Sequence, residues 1–581
     1  MKIKSLLIGM LACSAMVACT NEDPIDNGRE NDGKKSYLAV KLINPSVESR
    51  TTGDYAFGSE AEQAVKSARF YLFDAAGLPY EISDNSGNVG KNYVDVTNPQ
   101  AAEGEDNVET ILSAVLVINK SNVAPPASIV AVLNYTTELG STNLSLNDLK
   151  TKTEIAAANF GTYKSENGVL NPYTESGSFV MSNSVYVDAT GKIACEVPIA
   201  PENICITPGN EEGDNNGALQ HPVEIYVERV AAKVQTSVNY LTTEGTTAED
   251  KGKFFKSGDF YYANTGVKDA ANNDIYARLK GWRVTNITPK SNLIKSLNEA
   301  YSGFNWTWNN VADYRSYWAN TTETPQFVWN FNDASLGFDN NNWEYYNENT
   351  NNLKGLHTNS KNSQLLVAVE FVTKDKEGIL GNPQPIAEWY GVKYTLDDLK
   401  TTIANSLASK LYNRTGSEGN YTYSSITDDE ITLTQVSEGN SEERYLCTID
   451  VTGPTYYYKA ANGIMTAYST TELDALIATL QPAKIWGGLD ENQAYIGGGY
   501  YYLDIIHNAG TITETADTNV YGLVRNHWYK LTLNSLSGLG TPVYDPDKII
   551  VTETPETDYS YIAAKINVLS WRTVEQGVDL K

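Results

Sequence analysis

Short apolar stretches separated by turn-forming residues are the feature that most limits what this chain can fold into. Examples are ARFYLFD from residue 68, AVLVIN from residue 114 and SIVAVLNY from residue 128. Stretches of this length suit strands better than helices, which need longer segments with apolar residues at helical spacing. Tyr and Gly, which favour strands and turns respectively, number 38 and 43. The sequence therefore predicts a mainly β protein.

A few segments predict short helices instead. One follows Thr395 and carries apolar residues at helical spacing, namely Leu396, Leu399, Ile403, Leu407 and Leu411. In another, Ser469 and Glu472 form a capping box before an apolar stripe that ends ahead of Pro482. A third helix is predicted over residues 146–160. The stripes are typical of helix faces that pack on a core.

Charge and motif content exclude several classes of function. The 581 residues include 71 acidic and 44 basic ones, a net charge of −27, which would repel nucleic acids. The sequence contains no phosphate-binding loop, dinucleotide-binding motif, nucleophile elbow or zinc-protease motif. Its four histidines are too far apart in the sequence to suggest a metal or catalytic pair. We therefore expect no enzymatic activity, no cofactor and no bound metal.

The first 19 residues, MKIKSLLIGMLACSAMVAC, form an export signal. Basic residues precede an apolar stretch that is too short to cross a membrane. The segment ends in Val17-Ala18-Cys19 before a polar run, which resembles the lipobox of bacterial lipoproteins. The resemblance implies that Cys19 receives a lipid and becomes the first residue after signal cleavage. A weaker lipidation site at Cys13 and an ordinary secretory signal are the alternatives.

Residues 20–50 are predicted to be a propeptide. A polar tether is followed by an alternating strand with Leu38, Val40 and Leu42 on one face. The hydrophilic stretch after it contains Arg50, an accessible target for a trypsin-like protease. We predict cleavage between Arg50 and Thr51, which would separate this strand from the rest of the chain.

Only three cysteines remain beyond the signal, Cys195, Cys205 and Cys447. Cys195 and Cys205 flank a segment that can form a hairpin loop, so they are candidates for one disulfide. Two buried thiols in neighbouring strands are an equally good interpretation.

Residues 500–508 (YYYLDIIHN), 521–536 (YGLVRNHWYKLTLNSL) and 538–542 (GLGTP) carry the most specific pattern in the chain. They resemble the C-terminal core of the Bacteroidales fimbrillins, the lipoprotein-derived shaft subunits of type V pili, among them the minor fimbrillin of periodontal Porphyromonas. Residues 227–233 and 566–571 are similar to the start of the second domain and to the closing strand of these proteins. From the residues alone, Tyr529, Leu531 and Leu533 form a buried strand face, and Arg525 and His527 make structural hydrogen bonds.

The resemblance implies two transthyretin-like β-sandwich domains in series, residues 51–220 and 221–560, followed by a donor strand at 561–581. It further implies an outer-membrane lipoprotein that becomes part of a surface fimbria. The implied partners are copies of itself, other pilus subunits and an Arg-specific protease, while the adhesion receptor is not specified.

The C-terminal segment is the predicted donor strand. Its apolar residues alternate and then change parity, in the order Ile562, Ala564, Ile566, Val568, Leu569 and Trp571. Removal of the strand that contains Leu38 would leave a groove that such a segment from another subunit can complete. In the alternative, residues 561–580 fold back onto their own domain. A tip or anchor adhesin of the same fold, which binds glycans, is the other candidate function.

Overall fold

The computed structural model describes the chain over a set of ranges, and the account below is confined to them. They are residues 35–45, 62, 64–83, 89–97, 101–102, 108–119, 124–135, 139–151, 155–156, 174–175, 178–184, 186–187, 193–205, 207–208, 217–296, 321, 324–339, 342–352, 362–375, 377–436, 446–492, 494–507, 521–550, 561–569 and 575–577.

The N-terminal part is built on one ten-stranded sheet. In chain order its region contains β1 (Lys35–Pro45), β2 (Ser67–Phe73), β3 (Ile82–Ser83), β4 (Val89–Lys91), β5 (Tyr93–Thr97), β6 (Ala101–Ala102), β7 (Val108–Asn119), β8 (Ser128–Leu133), α1 (Leu146–Thr151), β9 (Ile155–Ala156), β10 (Thr174–Glu175), β11 (Ser178–Phe179), β12 (Met181–Asn183), β13 (Tyr186–Val187), β14 (Ile193–Ala194), β15 (Val197–Pro198), β16 (Ile204–Cys205) and β17 (Val223–Arg229). The strand order is β5-β2-β8-β12-β17-β1-β7-β6, with β15 paired to β8 and β16 to β1. Residues from both halves of this sheet, such as Phe70 and Leu116, share one buried core.

The C-terminal part is a sandwich of two sheets. Its first strands are β18 (Ala231–Val238), β19 (Tyr240–Leu241), β20 (Phe254–Ser257), β21 (Phe260–Lys268), β22 (Asp274–Thr285), β23 (Lys290–Ser291), β24 (Trp343–Asn347), β25 (Asn349–Asn352) and β26 (Gln364–Thr373). Its five-stranded and seven-stranded sheets are closed by strands from the end of the chain. Leu531 of the former and Trp282 and Val367 of the latter belong to one core.

An insertion with its own core lies between β26 and the closing strands. It comprises β27 (Ile386–Trp389), β28 (Val392–Thr395), α2 (Leu396–Leu407), β29 (Tyr412–Ser417), β30 (Asn420–Ser425), β31 (Ile431–Gln435), β32 (Leu446–Val451), β33 (Tyr457–Lys459), β34 (Met465–Ala467), α3 (Thr470–Ile477), β35 (Ala483–Trp486), β36 (Gly488–Leu489) and β37 (Tyr495–Ile496). Ile403 of α2 packs with Ile449 and Ile485 in this core. The insertion forms one sheet in the order β28-β27-β35-β32-β31 and another in the order β30-β29-β33-β34.

The closing strands complete both sheets of the sandwich. They are β38 (Gly498–Asp504), β39 (Tyr521–Leu523), β40 (Trp528–Ser537), β41 (Thr541–Val543), β42 (Tyr561–Leu569) and β43 (Glu575–Gly577). The five-stranded sheet has the order β24-β18-β40-β42-β43, and the seven-stranded sheet has the order β19-β20-β21-β22-β26-β38-β41. Strand β38 pairs directly with β26, so the insertion leaves and re-enters the sandwich between two neighbouring antiparallel strands.

The chain passes from the first sheet to the sandwich at Val230, later than the predicted boundary at residue 221. Strand β17 pairs with β1 and β12 in the first sheet, whereas β18 pairs with β24 and β40 in the sandwich. The two strands are separated by Val230 alone, and no Gly, Pro, Asn or Asp marks the crossing in the sequence.

The helix predictions are confirmed in two of three cases. Thr395 caps α2, and Ser469 with Glu472 forms the capping box of α3. The helix predicted over 146–160 is too long, because α1 ends at Thr151 and β9 pairs with β23. Among the residues that the structure describes, no helix is both long and apolar enough to cross a bilayer.

Candidate functional site

Strand β1 lies in the middle of the first sheet. It pairs antiparallel with β7 along its whole length, from Lys35 opposite Asn119 to Pro45 opposite Val108. On its other side it pairs parallel to β17, with Val40 opposite Val223, and antiparallel to the short β16. The predicted removable strand is therefore a central strand with neighbours on both sides.

Three side chains of β1, those of Leu38, Ala39 and Val40, are buried. Leu38 and Val40 are both fully buried and belong to the same core cluster as Leu116 and Ile225. Ala39, on the opposite face, is buried in a small cluster with Cys205 and Ala218. The predicted buried face is confirmed at Leu38 and Val40, whereas the side chain of Leu42 lies outside the described residues.

Taking β1 away would open a groove. Strands β7 and β17 would each lose a ladder of backbone hydrogen bonds, and the core residues that β1 covers would meet water. A groove of this kind accepts an extended peptide segment, because main-chain hydrogen bonds fix its position and apolar pockets select its side chains.

The predicted donor strand is paired with its own domain in this single chain. Strand β42 runs antiparallel to β40, with Ile566 opposite Leu531 and Val568 opposite Tyr529. Strand β43 pairs with the other side of β42. This is the fold-back arrangement named above as the alternative. The structure describes the backbone of Ile562, Ala564, Ile566, Val568 and Leu569 but not their side chains, and Trp571 lies outside the described residues.

Strands β1 and β42 have similar sequences, a relation that the local patterns described above do not include. Residues 37–42 read Tyr-Leu-Ala-Val-Lys-Leu, and residues 561–566 read Tyr-Ile-Ala-Ala-Lys-Ile. Tyr, Ala and Lys occupy the same places, and the differences exchange one aliphatic side chain for another. A comparison of the two chain ends would have found this signal, since it needs no structural information.

The Arg525 segment holds the two domains together. The guanidinium of Arg525 is fully buried and donates to Glu348 Oε1 at 2.6 Å and to the backbone oxygen of Asn292 at 2.7 Å. Its Nε lies 3.9 Å from Oε1 of Glu228 on β17. Lys295 Nζ lies 3.1 Å from Oε2 of the same carboxylate. A carboxylate from the first sheet thus meets two cations from the second domain.

The residues after Arg525 continue this junction. Asn526 has a positive φ of 58°, which Asn tolerates better than most residues, and its backbone N–H donates to Ala231. Its side-chain oxygen accepts from the Arg229 guanidinium at 3.2 Å. His527 Nδ1 lies 2.8 Å from the backbone oxygen of Arg525. These contacts confirm the expectation that Arg525 and His527 make structural hydrogen bonds.

A second buried ion pair lies at the same junction. Lys233 Nζ donates to Glu62 Oε1 at 2.8 Å and lies 4.2 Å and 4.1 Å from the ring centroids of Trp343 and Trp528. Burial opposes ionisation of Glu62, but the charges of Lys233 and Arg229 outweigh it and hold the pKa of this carboxyl below its ordinary value. Burial has the opposite outcome at Glu228, whose pKa it raises despite the neighbouring Lys295 and Arg525.

Cys195 and Cys205 are buried free thiols in the structure. The Cys195 sulfur lies 3.4 Å from the backbone oxygen of Lys295, and the Cys205 sulfur lies 3.5 Å from that of Glu202. Burial raises the pKa of Cys195 to about 12. In the structure the two thiols are not bridged, since Cys205 lies on β16 beside β1, whereas Cys195 lies in the bend between β14 and β15. Lipidation at Cys19 and cleavage between Arg50 and Thr51 concern residues outside the described ranges, and these stay predictions.

The chain is mainly β, with a central strand β1 near one end and a strand of similar sequence, β42, near the other. Residues 493–577 match the family model described as major fimbrial subunit protein type IV, fimbrillin, C-terminal. The resemblance to the fimbrillins is confirmed by this match, which supports a pilus subunit. Members of that family are structural proteins. No curated protein matches the chain in sequence.

Solved structures with distant similarity include bacterial surface proteins. A fimbrilin from Porphyromonas gingivalis W83 has 14% identity and a TM-score of 0.36, covering 94% of this chain and 98% of that one. A cell adhesion protein of Parabacteroides distasonis ATCC 8503 has 11% identity and a TM-score of 0.35, covering 95% and 100%. The tip fimbrial protein Mfa3 from Porphyromonas gingivalis has 11% identity and a TM-score of 0.28, covering 92% and 99%.

Proposed function

We propose that this protein is a structural subunit of a surface fimbria that polymerises by β-strand exchange and supports adhesion. In this proposal it is exported to the outer membrane as a lipoprotein through Cys19 and cleaved after Arg50 by an Arg-specific protease. The C-terminal segment of one subunit then fills the groove that β1 leaves in another. Copies of itself and other pilus subunits are the partners, and the extracellular fimbria is the final location.

The similarity between β1 and β42 is the observation that carries this proposal. If the C-terminal segment occupies the groove in the register of its similarity, Tyr561 takes the place of Tyr37 and Ile562 that of Leu38. Ala563 then takes the place of Ala39, where the close neighbours Cys205 and Ala218 favour a small side chain. A shift by one residue would turn every side chain to the wrong face of the sheet.

The same comparison explains why cleavage is needed before assembly. Val40, which is fully buried, corresponds to Ala564, so the C-terminal segment buries about two fewer carbon atoms, a loss of roughly 1.6 kcal/mol. Strand β1 also has the advantage of belonging to the same chain as its groove, which gives it a high effective concentration. The C-terminal segment of another subunit therefore competes poorly with β1 for the groove until the covalent link between β1 and the rest of the chain is cut.

Arg50 is well placed for that cut. Strand β1 ends at Pro45, five residues earlier, so cleavage after Arg50 leaves the whole strand on the lipid-bearing fragment.

The C-terminal segment must leave β40 of its own domain as well. Its ladder with β40 is replaced by ladders with β7 and β17, so two paired neighbours remain after the exchange.

A cysteine crosslink tests both the exchange and its register. In β16, the native Cys205 lies directly opposite Tyr37 of β1, so a cysteine at position 561 would lie opposite Cys205 of another subunit. Tyr561→Cys should give ladders of disulfide-linked subunits on non-reducing gels. The matched control is Lys565→Cys, which by the same register corresponds to Lys41, about 13 Å farther along the strand.

Two results decide the outcome. The ladders should vanish when Arg50→Ala blocks maturation, because β1 then keeps the groove filled. Crosslinks within one chain only, or equal crosslinking from Lys565→Cys, would overturn the proposed exchange.

A tip or anchor adhesin of the same fold is the alternative function. The pairing of β42 with β40 favours this alternative, since a subunit at the end of a fibre has no neighbour to receive its closing strand, which stays paired within its own domain. Such a subunit would give no ladder with Tyr561→Cys, although its groove would still accept a donor strand from a shaft subunit.

A further inference from the structure

The insertion displays an arginine held between two tyrosine rings. The Cζ atom of Arg414 on β29 lies 4.2 Å from the ring centroid of Tyr421 and 4.7 Å from that of Tyr457. Tyr423 packs edge-on against Tyr457, with 5.3 Å between ring centroids. Arg414 is exposed, and Tyr421 is 40% exposed. The rings therefore fix the guanidinium at the surface with its N–H groups accessible.

Other arginines stacked on rings show what such an arrangement does in this molecule. Arg69 lies 3.9 Å from the ring centroid of Tyr93, and its Nε and Nη2 donate to the two carboxylate oxygens of Asp95 at 2.6 Å and 2.8 Å. Arg278, over Phe260, donates to Glu370.

Arg283 follows the same pattern, since it lies over Trp329 and pairs with Glu344. Arg414 differs, because none of the residues placed by the structure gives its guanidinium a hydrogen bond or an ion pair. The guanidinium groups of Arg69, Arg278 and Arg283 each bind a carboxylate of this chain. The guanidinium of Arg414 has the same forked arrangement of N–H donors but faces solvent.

The strands around Arg414 carry no acidic residue. Strands β29 and β30 read YNRTGS and NYTYSS, in a chain with 71 Asp and Glu residues. Their register places Arg414 opposite Tyr423, and Tyr412 opposite Tyr457 of β33, so these four residues share one face of the sheet. Lys459, two residues beyond Tyr457, is exposed and adds a second positive charge to this face. Glu418 lies in the turn between the two strands.

We propose that this face, formed by Arg414, Tyr421, Tyr423 and Tyr457, binds a saccharide that carries a carboxylate. The guanidinium fork matches a carboxylate in two parallel hydrogen bonds. The exposed ring of Tyr421 offers a flat surface for the sugar, and the hydroxyl groups of the tyrosines on this face can bond to its hydroxyls.

A saccharide fits this face better than an acidic peptide. The side chains that share this face with Arg414 are mainly tyrosines, whose rings and hydroxyl groups suit a sugar ring and its hydroxyls. The net charge of −27 would also repel a partner with many negative charges, so isolated carboxylates on otherwise neutral sugars are favoured. This proposal is independent of strand exchange, since the face belongs to the insertion.

Titration calorimetry on the full mature chain tests the site with 3′-sialyllactose and tetragalacturonate as acidic probes and lactose as the neutral one. At least one acidic probe should bind ten or more times more tightly than lactose. Arg414→Lys, which keeps the charge but loses the planar fork, should weaken that binding about tenfold. Tyr421→Ala should weaken it as well, because it removes one of the two rings that hold the guanidinium.

Phe260→Ala is the matched control, since Phe260 is an exposed ring under an arginine that already holds a carboxylate. It should leave binding unchanged, and unchanged thermal unfolding of every variant shows that the fold is intact. Equal affinity for lactose, absence of binding by both acidic probes, unaltered binding by Arg414→Lys, or tighter binding of an acidic hexapeptide would overturn the proposal. None of these results bears on polymerisation.

Discussion

Replacement of Lys295 by Met should destabilise the protein far more than the same replacement at Lys268. The two ammonium groups have similar ion pairs, 3.1 Å from Glu228 and 2.9 Å from Asp274. They differ in burial, since both side chains of the first pair are inaccessible to water, whereas those of the second are 48% and 39% exposed. Met has nearly the same shape as Lys, so packing changes little and the effect reports the lost charge.

The magnitude follows from the burial. Removing one partner of a buried pair costs about 3–5 kcal/mol when the other charge is left without a partner. Arg525 Nε still lies 3.9 Å from Glu228 in this variant, so we expect a cost near the lower end of that range. Removing one partner of an exposed pair costs roughly 0–1 kcal/mol. Burial already raises the pKa of Glu228, so Glu228 in the Lys295→Met variant should take up a proton more readily than in the parent.

The pH dependence of the variant has a definite sign. When the pKa of a carboxyl group is raised in the folded state, the free energy of unfolding falls as the pH rises through that pKa. The difference in unfolding free energy between the parent and Lys295→Met should therefore grow with increasing pH. Urea unfolding followed by tryptophan fluorescence measures it, with Lys268→Met as the control and Lys295→Met/Glu228→Gln as the rescue. A loss of unfolding free energy as small as that of Lys268→Met, or a loss that becomes smaller as the pH rises, would refute the reasoning.

Labelled palmitate should enter the precursor and be lost from Cys19→Ala; label retained by that variant contradicts the proposed lipid site. N-terminal sequencing of assembled fibres should begin at Thr51, and a start before Tyr37 would exclude cleavage after Arg50. The pKa of Glu62 is lower in the folded state than its ordinary value of 4.5, so its ion pair with Lys233 stabilises the protein above about pH 4.5. This stabilisation is lost as the pH falls through the folded-state pKa. Urea midpoints measured from pH 6 down to pH 3 should therefore fall less steeply for Glu62→Gln than for the parent, and parallel curves would contradict this.

Local patterns in the sequence were sufficient to predict individual elements. Alternation gave the buried face of β40, where Tyr529, Leu531 and Leu533 are all fully buried. The capping residues Thr395 and Ser469 placed the starts of α2 and α3 at the correct residues. These features depend on neighbours within a few positions, which a single sequence displays directly.

Pairing between distant segments could not be predicted in the same way. The parallel ladder between β1 and β17 joins residues that lie about 180 positions apart, and backbone hydrogen bonds leave no trace in side-chain patterns. The buried charges at the junction were missed for a related reason. Glu228 and Lys295 look like ordinary surface residues in the sequence, and only the fold brings them together.

The site on the insertion was only partly accessible to sequence reasoning. Tyr and Arg alternate with small polar residues in β29 and β30, a pattern that indicates a strand but not which face is exposed. The contact between Arg414 and Tyr457 joins neighbouring strands of one sheet that are separated in the sequence by β30, β31 and β32, and it could be seen only in the structure.

The place where the insertion joins the sandwich affects how such a protein can change during evolution. Both of its ends emerge from β26 and β38, which remain paired with each other whatever the chain does between them. Apart from Ile386 and Trp486, which pack in the sandwich core, recombination or expansion within the insertion can therefore alter the displayed surface without disturbing the strands that hold the sandwich together.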